Sequence, residues 1–204
     1  MRHSLNLPNA ITTTRIFLVP LLVVVLLTNF EGRLIFGVRK ELIGAAIFGL
    51  ASLTDWLDGY LARRRKQVTA LGQIIDPIAD KLLTSAAFVS LIQMGLAPAW
   101  MVAIIIGREL AVTTLRSIAY ARGVVIPASP LGKVKMVSQV VAILALILGE
   151  EDRLQPLATV GYAALWVVVA TALISAAEYY RRFSRIPTKV EPFPTVEQRR
   201  TKAS

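Results

Sequence analysis

An all-α membrane protein with six membrane-spanning helices is the fold class this sequence predicts, and three observations predict it. Of 204 residues, 55% are hydrophobic and only 18% are charged, whereas a soluble domain is nearer a quarter charged. The apolar residues gather into six stretches near the length of about 20 residues that a bilayer-spanning helix needs. Basic residues collect in alternate connections between those stretches, which is the mark of cytoplasmic loops. Backbone polar groups must be satisfied within the chain at membrane depth, so helices are the spanning element.

The first span is predicted over Ile11–Thr28. Before it, Pro8 breaks any preceding segment, Asn9 is placed to cap the helix, and Leu5 and Leu7 point to a short N-terminal interfacial segment. The first apolar run is long and no small-residue cleavage site follows it, so it is expected to stay as an anchor. The second span is predicted over Leu42–Ala62 and runs into Arg63-Arg64-Arg65-Lys66; the third covers Ala70–Gly95. An uncharged turn at Gly95–Pro98 leads to the fourth, Ala97–Tyr120. Arg122, Lys133 and Lys135 precede or open the fifth and shortest, Val134–Gly149. Glu150-Glu151-Asp152-Arg153 separates it from the sixth, Leu157–Tyr179, which Arg181, Arg182, Arg185 and Lys189 follow.

With the basic connections inside, both termini are cytoplasmic and six spans close consistently. The connection carrying Arg33, Arg39 and Lys40 is the exception, partly balanced by Glu31 and Glu41. Residues 1–185 read as one membrane domain, and 186–204, with Pro187, Pro192, Pro194 and many charges, as a disordered cytoplasmic tail. Cysteine is absent and His3 is the single histidine, which excludes disulfides and thiolate chemistry and leaves no base for histidine catalysis in the spans. The net charge of +10 flanks apolar segments, so it matches anionic lipid headgroups, and no nucleic-acid partner is expected.

Four aspartates break the apolar pattern: Asp55 and Asp58 in the second span, Asp76 and Asp80 in the third. An acidic side chain at bilayer depth costs roughly 2.5–3.5 kcal/mol on insertion scales, so four of them require compensation. At ~100° per residue, Asp55, Asp58, Gly59, Ala62 and Arg63 share one arc of the second helix, and Thr69, Gly72, Asp76 and Asp80 share a face of the third. The connection is short, so the two helices are expected to be antiparallel neighbours with facing stripes. Oxygen-only ligands favour Mg²⁺ or Mn²⁺, and two such ions can hold phosphate oxygens between them. Gly59, Ala62 and Gly72 make room for a ligand, or simply let helices pack closely. Arg63 reads either as a phosphate contact or as the first residue of the basic topology signal.

The full pattern is Asp55-x2-Asp58-Gly59-x2-Ala62-Arg63-x8-Gly72-x3-Asp76-x3-Asp80. It resembles the signature of the CDP-alcohol phosphatidyltransferase family at every fixed position. The resemblance implies six transmembrane helices around a polar cavity open to the cytoplasm, a CDP-linked donor, an alcohol acceptor and release of CMP. It implies Asp55, Asp58 and Asp76 as ligands of two divalent cations, and Asp80 as ligand, general base or both. It further implies that Asp58, Gly59, Ala62, Arg63, Thr69 and Gly72 contact the CDP donor, with Arg63 on the diphosphate. Asn9 and Thr12, in Leu7-Pro8-Asn9-x2-Thr12, resemble an additional nucleotide contact, although capping by Asn9 explains that stretch too.

The acceptor side is expected on the fourth and fifth helices. Arg108, Val112 and Arg116 fall on one stripe, and Lys133 and Lys135 open the next helix. Such a cationic set suits a phosphorylated alcohol. The same residues also read as positive-inside markers, with Arg108 paired to Glu109 for burial. The stretches Gly107-Arg108-Glu109-Leu110-x-Val112-Thr113-x-Leu115-Arg116 and Ile126-Pro127-Ala128-Ser129-x2-Gly132-Lys133-x-Lys135 resemble the bacterial phosphatidylglycerophosphate-forming branch of the family. That likeness implies CDP-diacylglycerol and sn-glycerol 3-phosphate as substrates, a homodimer, and a place among the lipids of the bacterial cytoplasmic (inner) membrane. Sibling enzymes of the cardiolipin or inositol-phosphate type are the near alternative. A cation transporter is the distant one; it predicts inverted repeats and interrupted helices, which the sequence does not carry.

Overall fold

The computed structural model describes the backbone of residues 7–28, 34–35, 37–65, 70–121 and 130–184, and the side chains of 14–28, 35, 37–54, 78–119 and 134–181. Within these residues the chain forms six helices: α1 (Leu7–Leu27), α2 (Lys40–Arg65), α3 (Ala70–Gln93), α4 (Ala99–Ala121), α5 (Pro130–Leu148) and α6 (Pro156–Ser184). Each coincides with one predicted span. The helical expectation needs one amendment. Leu34–Ile35 (β1) and Val38–Arg39 (β2) pair antiparallel, Leu34 with Arg39 and Ile35 with Val38. A ladder this short leaves no periodic signal, and Gly37, at φ +78°, supplies the left-handed residue its turn needs.

Prolines set several helix starts. α5 and α6 begin at Pro130 and Pro156, where a fixed φ suits the first helical position and the missing N–H costs nothing. This extends α5 to 19 residues, beyond its predicted start at Val134, because the backbone follows Pro130 while Lys133 and Lys135 interrupt the hydropathy. The same rule corrects the start of α1. That helix begins at Leu7 and takes Pro8 and Asn9 into its first turn, so Asn9 is not the residue before the helix. Residues 1–6, the remainder of the expected interfacial segment, and the tail 186–204 lie outside the described residues.

α3 ends as the uncharged turn predicts. The Gly95 N–H donates to Ile92 O at 2.9 Å and the Leu96 N–H to Leu91 O at 2.8 Å, with Gly95 at φ +76°. This is the paired closure that a left-handed glycine after a helix permits, with Leu96 set over Leu91.

α6 packs on α5 and α4, α1 packs on α3 and α2, and α2 also meets α5; α3 touches α2, α4 and α5. The main apolar core among the described residues draws on all six helices through Leu22 and Leu26, Phe48, Leu83 and Phe88, Ile105, Ile143 and Leu146, and Leu165; Val112, Ala119 and Tyr179 form a smaller cluster between α4 and α6. α5 and α6 approach most tightly at glycines. A Cβ on Gly161 would lie 2.7 Å from Leu146 Cγ and 2.9 Å from its backbone nitrogen, and one on Gly149 would lie 2.5 Å from Ala158 N. Small residues at such crossings let van der Waals packing join helices. Within the described residues, the stretch Pro156–Arg181 is a helix long and apolar enough to cross a membrane, while Thr14–Leu27 and Val134–Leu148 are apolar but shorter.

Away from the functional residues, the basic connection that departed from the charge rule is neutralised locally. Arg39 Nε donates to Glu151 Oε2 at 2.5 Å, and its Nη2 lies 3.4 Å from Asp152 Oδ2. Glu151 thereby holds the Arg39 guanidinium above its usual range. Lys40 Nζ donates to Leu26 O at 3.1 Å and Thr28 O at 3.3 Å, capping the carbonyl end of α1.

Candidate active site

A cavity of about 170 Å³ opens where α2, α3, α4 and α5 converge. Its lining is Ser52 from α2, Asp80 and Thr84 from α3, Arg108 and Glu109 from α4, and Lys135, Met136, Gln139 and Val140 from α5. Helical periodicity explains the membership. Asp80 and Thr84, and likewise Lys135 and Gln139, are four residues apart and share a face. Thr84 Oγ1 also donates to the Asp80 carbonyl at 3.0 Å, which ties its hydroxyl to that turn.

Three of the predicted residues, Asp80, Arg108 and Lys135, therefore meet in one cavity although they come from three helices. Their partners differ from the sequence expectation. Lys135, buried, forms an ion pair with Glu109 of α4. Arg108 does not pair with Glu109; its Nε and Nη2 donate to Ser175 Oγ on α6 at 3.0 and 2.6 Å. The correction follows from helix geometry, because consecutive residues point about 100° apart and face different neighbours.

Arg116 sits elsewhere. It is exposed and is not among the residues lining this cavity; its Nη2 donates to Tyr179 OH at 2.6 Å, and its guanidinium carbon stands 5.5 Å from the Tyr179 ring centre. Two turns of α4 separate it from Arg108 on the same stripe. Beside it, Lys81 Nζ donates to Thr113 Oγ1 at 2.6 Å, linking α3 to α4.

The remaining predicted positions are not open to side-chain description. Asn9 and Thr12 are on α1, Asp55, Asp58, Gly59, Ala62 and Arg63 on α2, Gly72 and Asp76 on α3, and Lys133 on α5, all with side chains outside the described residues; Thr69 lies outside them altogether. Among the described residues no three His, Cys, Asp or Glu side chains gather as a metal site. The expected facing stripes of α2 and α3 thus rest on backbone register. Position 55 follows Ser52 by three residues, and position 76 precedes Asp80 by four, so both lie one turn along helices that already line the cavity.

Ser52, Thr84, Gln139 and Ser175 escape the sequence reading, and Glu109 takes Lys135 as its partner in place of Arg108. Thr84 and Gln139 had a usable signal, since each extends a charged position by one helical turn. Ser175 had none, because only the packing of α6 on α4 brings it to Arg108.

Comparison with known proteins follows the same lines. The family model described as CDP-alcohol phosphatidyltransferase matches residues 5–174. A Bacillus subtilis (strain 168) CDP-diacylglycerol–glycerol-3-phosphate 3-phosphatidyltransferase is 45% identical over 186 residues, covering 87% of this chain and 94% of that protein. A Rickettsia prowazekii (strain Madrid E) protein of the same name is 36% identical over 182 residues, covering 89% of this chain and 97% of its own. Among solved structures, a Mycobacterium tuberculosis phosphatidylinositol phosphate synthase crystallised with manganese and citrate superposes with a TM-score of 0.59. At 18% identity, covering 92% of this chain and 87% of that one, it shares the helical fold. The aspartate signature, the six-helix fold with its Asp80 cavity and a family match over most of the sequence lead to one assignment: the chain belongs to the CDP-alcohol phosphatidyltransferase family.

Proposed function

We propose that the chain transfers the phosphatidyl group of CDP-diacylglycerol to sn-glycerol 3-phosphate, releasing CMP and forming phosphatidylglycerol phosphate for phospholipid synthesis. The observation that carries this reading is the cavity itself: a carboxylate, Asp80, shares a small space with the cations Arg108 and Lys135. A phosphorylated alcohol needs both, a base for its hydroxyl and positive charge for its phosphate. Relatives bearing this activity in their names match nearly their whole length at 45% and 36% identity.

The lining fits divalent cations of the hard class. Its carboxylate, hydroxyl and amide groups offer oxygen, without thiolate or imidazole. Asp55, Asp58, Asp76 and Asp80 would hold Mg²⁺ or Mn²⁺, in the two-ion arrangement the signature implies. When bound, such ions neutralise phosphate charge and stabilise the leaving CMP. Arg108 and Lys135 orient the acceptor through its phosphate. Asp80 takes the proton of the attacking hydroxyl as that oxygen bonds the lipid-bearing phosphorus. The phosphoanhydride bond then breaks, and CMP leaves with the electron pair. Positioning and charge neutralisation supply most of the rate, as in other phosphoryl transfers. Arg63, with Asn9, Thr12, Gly59, Ala62, Thr69 and Gly72, belongs to the donor side of this proposal, and Lys133 and Arg116 to its acceptor side.

The proposal places the chain in the bacterial cytoplasmic membrane as a homodimer of six-span subunits, with termini and cavity on the cytoplasmic side. Residues 1–185 form the membrane domain and 186–204 the tail. Outward-facing Phe17, Leu50, Leu53, Leu110, Val137, Trp166 and Leu173 support a lipid surround, since water would penalise so many exposed apolar groups on separate helices.

The test is a reconstituted assay. Purified protein in mixed micelles with CDP-diacylglycerol and Mg²⁺ or Mn²⁺ is supplied in turn with glycerol 3-phosphate, inositol phosphate and phosphatidylglycerol. CMP and a new phospholipid are expected with glycerol 3-phosphate. Silence with that acceptor, or preferential turnover of either other, overturns the reading.

A further inference from the structure

We infer that Ser175 is a positioning residue that fixes Arg108 by one edge of its guanidinium and thereby presents the opposite edge to the acceptor phosphate. This rests on the proposed phosphorylated acceptor and deepens it by giving α6 a part in acceptor recognition.

A guanidinium carries five N–H groups arranged in a rigid plane. In Arg108 the Nε and one Nη2 hydrogen go to Ser175 Oγ, at 3.0 and 2.6 Å. The outer edge, made of Nη1 and the second Nη2 hydrogen, is left over. That edge is the geometry that grips two oxygens of a phosphate at once. No further hydrogen bond or ion pair of Arg108 is found among the described residues.

Ser175 is built for this task. Its side chain is buried, with 1% of the residue exposed, and its own hydroxyl donates to Ala172 O at 3.2 Å. Spending that hydrogen on the α6 backbone turns the oxygen lone pairs toward Arg108. A neutral acceptor also leaves the guanidinium charge intact, whereas a carboxylate in its place would cancel it. Glu109 is near in sequence but is engaged by Lys135, so α4 divides its neighbours: one cation is matched to a carboxylate and the other is steadied by a hydroxyl.

The experiment is steady-state kinetics of the full-length protein in mixed micelles, with acceptor and donor varied separately. Ser175→Ala is expected to raise KM for glycerol 3-phosphate by about tenfold, the scale of one hydrogen bond to a charged group, with kcat and donor KM within about twofold of wild type. Ser175→Thr, which keeps the hydroxyl, is expected to recover most of that loss. Combined with Arg108→Ala, Ser175→Ala is expected to add less than about twofold, because its effect passes through the arginine. The inference is overturned if Ser175→Ala leaves acceptor KM unchanged, if it depresses kcat and donor affinity to the same degree, or if its effect persists in full without Arg108. A wild-type protein that releases no CMP with glycerol 3-phosphate would instead remove the proposed activity on which the inference stands.

Discussion

The cavity and the hairpin end of the molecule both carry cations, and they hold them in different ways. At the hairpin end Arg39 meets the carboxylates of Glu151 and Asp152, and Lys40 meets the carbonyls that close α1. Arg39 thereby joins the β1–β2 hairpin to the α5–α6 connection, and Lys40 joins the start of α2 to the end of α1. In the cavity, Arg108 is steadied by a hydroxyl, and Lys135 shares Glu109 beside the Asp80 carboxylate. An ion pair consumes the field of both partners, while a cation anchored through a neutral oxygen keeps its attraction for an anion. Partners thus distinguish Arg39, matched by carboxylates, from Arg108, held through a neutral oxygen, although composition presents both as arginine.

Substitutions can break or sharpen that contrast. The largest effect is expected at the cavity carboxylate. Asp80→Asn should lower kcat by 10²-fold or more, the usual scale for a general base, with donor affinity falling less; CMP release under saturating donor measures it. A variant with near-wild-type kcat would remove Asp80 from the chemistry. Next comes Lys135→Ala, which should raise acceptor KM by about tenfold while leaving kcat within a few-fold, since a phosphate contact helps binding more than the chemical step. Equal losses in donor and acceptor affinity would make Lys135 a structural residue like Arg39. The smallest effect belongs to the hairpin end. Arg39→Ala should leave kcat and both KM values within about twofold and lower Tm slightly, because partly exposed pairs contribute little. A large kinetic change there would erase the distinction between the two ends.

Much of the fold is legible without coordinates because long apolar stretches bounded by charges and turn residues mark helices directly in the sequence. The six apolar stretches became six helices whose cores lie where hydropathy put them. Ends were less legible, since Pro130 and Pro156 start helices by their fixed φ regardless of hydropathy, and Pro8 draws Asn9 inside α1. The β1–β2 ladder escaped because two-residue strands have no pattern to repeat. At the site, Asp80, Arg108 and Lys135 were readable as charges out of place in apolar helices. Arg116 shares that stripe of α4, but a stripe says nothing about which neighbour each turn meets, and the contact with Tyr179 on α6 is visible only in the fold.

The sequence by itself determined the helical class, the acidic signature and the chemistry that oxygen ligands and cations within apolar helices allow, because those follow from local periodicity and from the cost of charge in an apolar setting. Only the tertiary structure decided the partners. Ser175 and Arg108 are far apart in the chain, as are Arg39 and Glu151, and no local rule links them. Their pairing depends on how α6 lies across α4 and how the hairpin meets the α5–α6 connection, placements that long-range packing of the helices sets.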